Sequence, residues 1–503
     1  MGFDASVISG VVKFIEPEFG LTKIELGWAV ASLALTATIA MMFAGPLSDR
    51  FGRKRVLLVA AMLFLVSALA SALANSFLAL VIARMVGGFG VGAALIVAPM
   101  YIAELAPADQ RGKLVSFNQL NIVIGISVAF FSNFLILKLG QSDAPWAEQL
   151  RFADWNWRWM LGLEALPALL YWFCLRYVPE SPRWLLNQGR EEQAVAVMTD
   201  LVGESLARAQ AEEIKQALES ATSESQTTAL KKTRQLLKPS MRLVMIIGIS
   251  IAILQQITGI NAVFFYAPMI FEQSGIGTDA SFMQAVLVGL VNLVFTVIAL
   301  MVIDRLGRKP LLCGGFLGIA VSMFILTFGF NSASYQLTGD SLDSLNLNIE
   351  SQQLEGILDT TFASDIEFKS AVQNLLGEEQ TAVVEADLVT AAIDINASLI
   401  LLGILGFVAS FAVSVGPVMW VLFSELFPNS LRGVAISFVG LINSSVSFLV
   451  QLVFPWELAT LGSSMTFMIY GLFALVGLVI SLTILPETKG KSLEELESLL
   501  IKA

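Results

Sequence analysis

Eleven stretches of this chain are each long and apolar enough to cross a bilayer as a helix, and that feature limits its folds most. A span needs roughly 20 apolar residues, because about 30 Å of hydrocarbon must be crossed at ~1.5 Å per residue. A helix satisfies its own backbone groups where no water can. The stretches lie near 26–48, 56–75, 77–105, 114–138, 158–178, 242–270, 282–303, 310–330, 395–424, 431–455 and 465–486. With 56% hydrophobic and 14% charged residues, against about 25% charged in a soluble domain, lipid must solvate much of the surface. Residues 1–15 are a twelfth candidate, too short to span, and they carry Asp4. The first helix is expected to be incomplete or to start midway through the membrane. Nothing at this end resembles a secretory signal.

Two polar segments interrupt the pattern. Residues 179–240 are rich in Glu, Gln, Ala, Lys and Arg and read as short amphipathic helices in solvent. Residues 331–394 hold twelve acids and one lysine, Lys369, which accounts for the whole net charge of −11. The acidity is local, so it argues against nucleic-acid binding. Neither segment has enough apolar residues to promise a good core of its own, so both are expected to be solvated connectors. The chain has no histidine, which excludes histidine catalysis, ligation and relays, so any proton chemistry must use carboxylates. Cys174 and Cys313 both lie in apolar runs, and neither a disulfide framework nor a metal site is expected from them.

Cationic loops set the orientation by the positive-inside rule. With odd-numbered loops outside, Arg50, Arg53, Lys54, Arg55, Arg111, Lys113, Arg305, Arg308, Lys309, Arg432, Lys489 and Lys491 fall inside. Both termini and residues 179–240 are then cytoplasmic, and the acidic segment is external. Two patterns also occur twice. Asp49-Arg50-Phe51-Gly52-Arg53-Lys54 returns 255 residues later as Asp304-Arg305-Leu306-Gly307-Arg308-Lys309. Glu104 with Arg111-Gly112 returns 321 residues later as Glu425 with Arg432-Gly433. The separations differ by about the length of the acidic segment, which lies between the second members of the two pairs. A duplicated six-helix unit with one insertion follows, and that unit does not require the insertion. The expected division is an all-α membrane protein with a six-helix bundle over 1–178, a cytoplasmic helical linker over 179–240 and a second bundle over 241–503. The insertion 331–394 belongs to the second bundle. Parallel repeats of this kind suit a rocking transporter.

Gly45-Pro46-Leu47-Ser48-Asp49-Arg50-Phe51-Gly52-Arg53-Lys54 resembles the loop signature of the major facilitator superfamily. Pro179-Glu180-Ser181-Pro182-Arg183-Trp184-Leu185 and Pro486-Glu487-Thr488-Lys489-Gly490 resemble the sugar-porter signatures after helices six and twelve. Gln255-Gln256-Ile257-Thr258-Gly259-Ile260-Asn261 resembles the helix-seven sugar motif, and Gly416-Pro417-Val418-Met419-Trp420 the helix-ten motif. Together they are similar to the sugar porters, which include bacterial xylose–proton symporters and facilitative glucose carriers. The resemblance covers the chain except residues 331–394. It implies the major facilitator fold, two bundles around a central cavity.

A sugar hydroxyl both donates and accepts, and a carboxamide offers both functions on one rigid group. Gln255, Gln256, Asn261, Asn292 and Asn443 all lie in apolar runs, where an unpaired amide costs on the order of 2–7 kcal/mol. Helix–helix hydrogen bonding would use the same residue types; the resemblance favours substrate binding. On a regular helix Asn261 lies about 120–140° around from Gln255 and Gln256, so they converge only if the helix breaks, and Gly259 sits between them. Trp420 would offer a flat face to sugar C–H groups. Three positions depart from the xylose and glucose carriers: Ile126 stands where many have a sugar-binding Gln, Phe265 where xylose carriers have Tyr, and Ser444 where they have Trp. Gln119 lies two turns before Ile126 and compensates only in part. No particular sugar, whether hexose, pentose or polyol, follows.

Asp4 and Arg84 fall where the bilayer should be, and a charge there costs at least about 2.5–3.5 kcal/mol. The resemblance implies their pairing, since sugar–proton symporters have an Asp in the first helix and an Arg in the fourth. Facilitative carriers tend to have Asn at the Asp position. Protonation would cancel the charge and let the helices move; Glu164 is a second candidate for that role, and a purely structural ion pair is the other reading. Glu104, Arg111, Glu425 and Arg432, with Asp49, Arg50, Arg53, Asp304, Arg305 and Arg308, are expected from the resemblance to form salt bridges between the halves that close the cytoplasmic side. The expected function is proton-coupled sugar uptake. A passive facilitator is the alternative, against which Asp4 and Arg84 argue, and a non-transporting sugar sensor would usually carry a long cytoplasmic tail. No nucleophile–base constellation suggests an enzyme. The expected partners are a small sugar, protons and the bilayer, without cofactor, metal or nucleic acid, for a chain working as a monomer.

Overall fold

In the computed structural model the described residues are 1–107, 110–224, 234–236, 238–343, 345, 351–428, 431–491 and 495–496. Among them, nine helices are long and apolar enough to cross a membrane. One of these, Arg432–Thr483, is broken by Gly462, whose φ is +78°. The first span, Gly2–Phe19, runs 18 residues and ends on Gly20 in the left-handed region. The sixth span comes in two pieces, Asn156–Gly162 and Ala165–Tyr177, with Glu164 at the joint. Among the described residues twelve spans result, six before residue 179 and six after 240. The opening stretch is thus longer than residues 1–15, and Asp4 sits in the first turn of a buried helix.

Local chemistry fixes where the spans begin and end. Thr22 and Glu25 form a reciprocal capping box at the start of the second span, Lys23–Phe51, which satisfies two donors that would otherwise be orphaned. The duplicated loop is built alike in both halves. Gly52 (φ +97°) and Gly307 (φ +94°) turn the chain between the second and third spans and between the eighth and ninth. The next helices, Arg53–Ala72 and Arg308–Asn331, then start with free N–H groups. Glu180 accepts from the backbone nitrogens of Arg53 (3.0 Å) and Lys54 (3.1 Å). Glu487 accepts from those of Arg308 and Lys309, both 3.1 Å. A side chain at either glycine would collide with that carboxylate.

Residues 179–224 form three amphipathic helices, Pro182–Asn187, Glu191–Val202 and Glu204–Glu224, with a small cluster around Trp184, Ala194 and Met198. They cover one end of the bundles, called here the linker end. The acidic insertion covers the opposite, or cap, end and departs from the expected connector. It folds into a three-stranded antiparallel sheet with the strand Ser334–Gln336 in the centre, flanked by Thr361–Phe362 and Ile393–Asp394. Helices Asp365–Leu376 and Glu378–Ala392 pack with it. Tyr335, Leu337, Leu354, Phe368, Val372 and Leu388 make a buried core. Those apolar residues are scattered among Ser, Gln and Asp in the sequence, but the fold gathers them into one cluster.

Candidate functional site

The seventh span supplies the centre of the site. It runs as helix Arg242–Ile257, stops at Thr258 and resumes as Ile260–Phe265. Gly259 makes the break with φ +90°, and a side chain there would strike the ring of Tyr470. The broken helix lets Asn261 swing back to the face of Gln255 and Gln256, as the sequence geometry requires. Asn261 Nδ2 donates to Gln256 Oε1 at 2.8 Å, and Gln256 Nε2 donates to Asn443 Oδ1 at 3.1 Å. Asn443 Nδ2 in turn donates to Gln255 Oε1 and to the Ala252 carbonyl, both at 2.8 Å. Gln255 Nε2 reaches the carbonyls of Val415 (3.3 Å) and Gly416 (3.4 Å). Those carbonyls lie just past the break at Ser414 in the tenth span.

Four carboxamides therefore satisfy one another in the apolar interior, and two polar residues extend the ladder. Asn443, Ser447 and Gln451 lie at helical spacing on the eleventh span. Ser447 Oγ accepts from Asn261 Nδ2 at 2.6 Å and from Gln451 Nε2 at 2.8 Å. Tyr266 donates its hydroxyl to the Gln451 carbonyl at 2.9 Å. Ser447, Gln451 and Tyr266 escaped the sequence reading, although the four-residue spacing from Asn443 was a visible signal. Asn292 is buried on the eighth span, Thr278–Leu306, and no hydrogen bond among the described residues links it to the cluster. Gln119 is exposed on the fifth span, Arg111–Gly140. Trp420, 46% exposed, stands edge-on to Phe423 on helix Val415–Leu426.

Asp4, Arg84 and Glu164 come together from the first, fourth and sixth spans. Asp4 and Arg84 are each 1% exposed and Glu164 4%. Arg84 and Glu164 lie within electrostatic reach of Asp4. The ion pair is not closed, however. Asp4 meets no N–H or hydroxyl donor among the described residues, but the Glu164 carboxyl lies close enough to share a proton with it, while Arg84 Nε donates to the Ala29 carbonyl at 3.1 Å.

The charged residues of the linker end pair differently from the expectation. Arg53 binds Glu104 at 2.9 Å and Asp49 at 3.0 Å; Arg308 binds Glu425 at 2.8 Å and Asp304 at 3.2 Å. Both sets lie within one half. Arg50 stacks on Phe51, and the Arg305 carbonyl accepts from Lys489. Arg432 donates to the Phe427 carbonyl and keeps Nη2 unpartnered among the described residues. The side chain of Arg111 lies outside the described residues. The bonds that cross between halves run from mid-membrane to the cap end instead: Ser127 to the Gly289 carbonyl, Lys138 to Asp279 and Lys13 to Glu272. Gly27 also meets the Leu452 backbone, and Trp28 meets Phe448. Among the described residues the bonds between the halves lie toward the cap, and none joins these charged sets across the linker end.

The model of the sugar (and other) transporter family matches residues 1–340 and 381–500. The arabinose-proton symporter of Bacillus subtilis is 33% identical, covering 100% of this chain and 92% of that protein. The D-xylose-proton symporter of Escherichia coli is 35% identical, covering 99% and 92%. Among solved structures, the inward open conformation of the E. coli xylose transporter XylE aligns with a TM-score of 0.74 at 32% identity, covering 99% of this chain and 96% of that one.

Proposed function

This chain belongs to the sugar transporter family, and on that premise we propose that it takes up a small sugar together with protons by alternating access. The observation that carries the reading is the cluster of Gln255, Gln256, Asn261 and Asn443 at a broken span. Carboxamides this deep in hydrocarbon are costly alone, and broken helices are usual at transporter binding sites. The cluster matches both faces of a hydroxyl, donor and acceptor, and Trp420 offers the ring face. Gln119 and Asn292 are assigned to the same route in this reading. The relatives' named substrates, arabinose and xylose, make pentoses the first sugars to test, with hexoses and polyols beside them.

Asp4 is the proton carrier in this reading, with Arg84 as its counter-charge and Glu164 as a second acid. A passive facilitator would have no use for two buried acids side by side. The division into 1–178, 179–240 and 241–503, the cytoplasmic position of both termini and of the linker end, and a monomeric state belong to the same proposal. Arg111 and Arg432 then serve the cytoplasmic gate, while the charged sets around Arg53 and Arg308 brace the halves on either side of it. Purified protein in proteoliposomes, offered a panel of pentoses, hexoses and polyols with and without an imposed pH gradient, tests it. Uptake of a sugar above equilibrium only when the outside is acidic is the expected result. Equal uptake without a gradient would leave a facilitator.

A further inference from the structure

The acidic cap touches both halves through chains of alternating charge. Asp365 accepts from the backbone nitrogen of Ser463 at 3.3 Å, beside the Gly462 break that joins the last two spans. Its carboxylate lies 3.8 Å from Lys369, Lys369 lies 3.6 Å from Glu385, and Glu385 lies 3.6 Å from Lys23 on the second span. Lys23 closes the chain on Glu16 of the first span at 2.6 Å. A second chain is shorter. Asp387 lies 3.9 Å from Lys13 of the first span, and Lys13 binds Glu272 of the seventh at 2.8 Å and Thr278 of the eighth at 2.5 Å. Thr390 of the cap also donates to the Glu272 carbonyl.

These charges are spaced as a strap. The only lysine among twelve cap acids is Lys369, and it sits between Asp365 and Glu385 with a side chain only 12% exposed. Burial works against the Glu385 carboxylate, yet Lys369 and Lys23 hold it below the usual glutamate range. Lys13 belongs to the helix that carries Asp4, and Glu272 to the short helix Ala267–Glu272 that follows the Asn261 segment of the seventh span. Opening the cap end would draw these helices apart and break both chains.

We propose that the cap is a latch across the mouth at the cap end, with Glu385 and Asp387 holding Lys23 and Lys13 of the first half while Asp365 anchors the cap to the second. It favours the state open at the linker end and must release each time the mouth opens outward. The latch rests on the alternating-access reading, but its test needs neither sugar nor proton gradient, so the two can fail separately.

Spin labels at Asn75 and Ala280, exposed at the cap ends of the two halves, read the width of the mouth by pulsed electron–electron resonance in a background lacking Cys174 and Cys313. Glu385→Gln with Asp387→Asn should raise the ratio of wide to narrow distances roughly tenfold. In the unaltered latch, going from about 0.1 M to about 1 M salt, which cuts the screening length from ~10 to ~3 Å, should widen the distribution in the same direction. Salt should add less once the two acids are neutral. Glu385→Gln alone serves if the double variant folds poorly. An unchanged distribution in either neutralised variant overturns the latch. Widening by salt that is equal with and without the two acids also overturns it, because Lys13–Glu272 and Lys138–Asp279 would then close the mouth unaided.

Discussion

Replacing Asp4 by asparagine should sever sugar accumulation from the proton gradient while leaving the sugar path open. The structure argues that the variant folds. An isosteric amide keeps the side-chain volume and can donate to the neighbouring Glu164 carboxyl in place of the shared proton. Arg84 loses one counter-charge, but Glu164 remains within electrostatic reach of it. Arg84 keeps its bond to the Ala29 carbonyl. What disappears is the group that can gain and lose a proton. One proton crossing 100 mV supplies about 2.3 kcal/mol, and one pH unit about 1.4. Their sum, roughly 3.7 kcal/mol, sustains a gradient of several hundredfold. In proteoliposomes under that driving force the unaltered protein should concentrate its sugar to that order and Asp4→Asn not at all. Exchange of labelled for unlabelled sugar should persist in the variant. If Asp4→Asn still concentrates sugar, the coupling proton rides elsewhere, and Glu164, the other buried acid in reach, becomes the group to test.

Asn443→Ala removes bonds to Gln255, Gln256 and the Ala252 carbonyl; at about 1–3 kcal/mol for buried groups left unpaired, sugar affinity by calorimetry should fall roughly 5- to 150-fold. Unchanged affinity would return the cluster to helix packing. Gly259→Ala must adopt φ near +90° and meet the Tyr470 ring; a cost of at least about 1–2 kcal/mol should show as a lower Tm in detergent together with weaker sugar binding, and a Tm at or above that of the parent would contradict it. Burial alone would raise the pKa of Glu487, but the backbone N–H groups of Lys489, Arg308, Lys309 and Thr488 prevail and lower it. A depressed carboxylate stabilises fully above its unfolded value of about 4.3 and loses that contribution as pH falls through the folded value. Glu487→Gln should therefore flatten the acid branch of Tm against pH, and an unchanged acid branch would show that the cap on helix Arg308–Asn331 contributes nothing.

How much of this was legible in the sequence differs by residue. The break at Gly259 followed from helix geometry, because Asn261 cannot otherwise face Gln255 and Gln256. The intramembrane charges Asp4, Arg84 and Glu164 were legible from their cost alone. Their open spacing was not, because hydropathy locates a charge in the membrane without giving its partner. The same limit explains Arg53 and Arg308. Their identity and duplication were plain, but whether they meet Glu104 and Glu425 or groups across the interface depends on which end of the bundle is open. Glu180 and Glu487 were within reach as helix caps, since both follow a proline and precede Ser or Thr in repeated motifs. The cap core was hidden because Tyr335, Leu354, Phe368 and Leu388 come from four short elements, none with a hydrophobic period long enough to register.

The two rims of the molecule are built for opposite tasks, and the energies explain why. At the linker end Arg53–Glu104 and Arg308–Glu425 stay within their halves, and Ser181 Oγ and Thr488 Oγ1 donate to the same two glutamates at 2.5 and 2.6 Å. Such pairs survive rocking, so they hold each half as a rigid body and cost nothing per cycle. At the cap end Lys13–Glu272 and Lys138–Asp279 cross the interface and must break whenever the protein faces outward. Moving a two-state equilibrium from 1:99 to 99:1 takes about 5.5 kcal/mol, more than the ~3.7 kcal/mol a proton supplies under ordinary driving force. Crossing bonds must therefore be few and weak: Lys138–Asp279, exposed on both sides, is worth about 0–1 kcal/mol, and Lys13–Glu272, whose acid is buried, is the stronger of the two. A crossing pair as strong as a fully buried one would stall the cycle in the state described here. Lys138→Met, which removes one exposed crossing pair, should thus speed exchange or leave it unchanged, and a slower exchange in a folded variant would show that the pair is needed for more than closure.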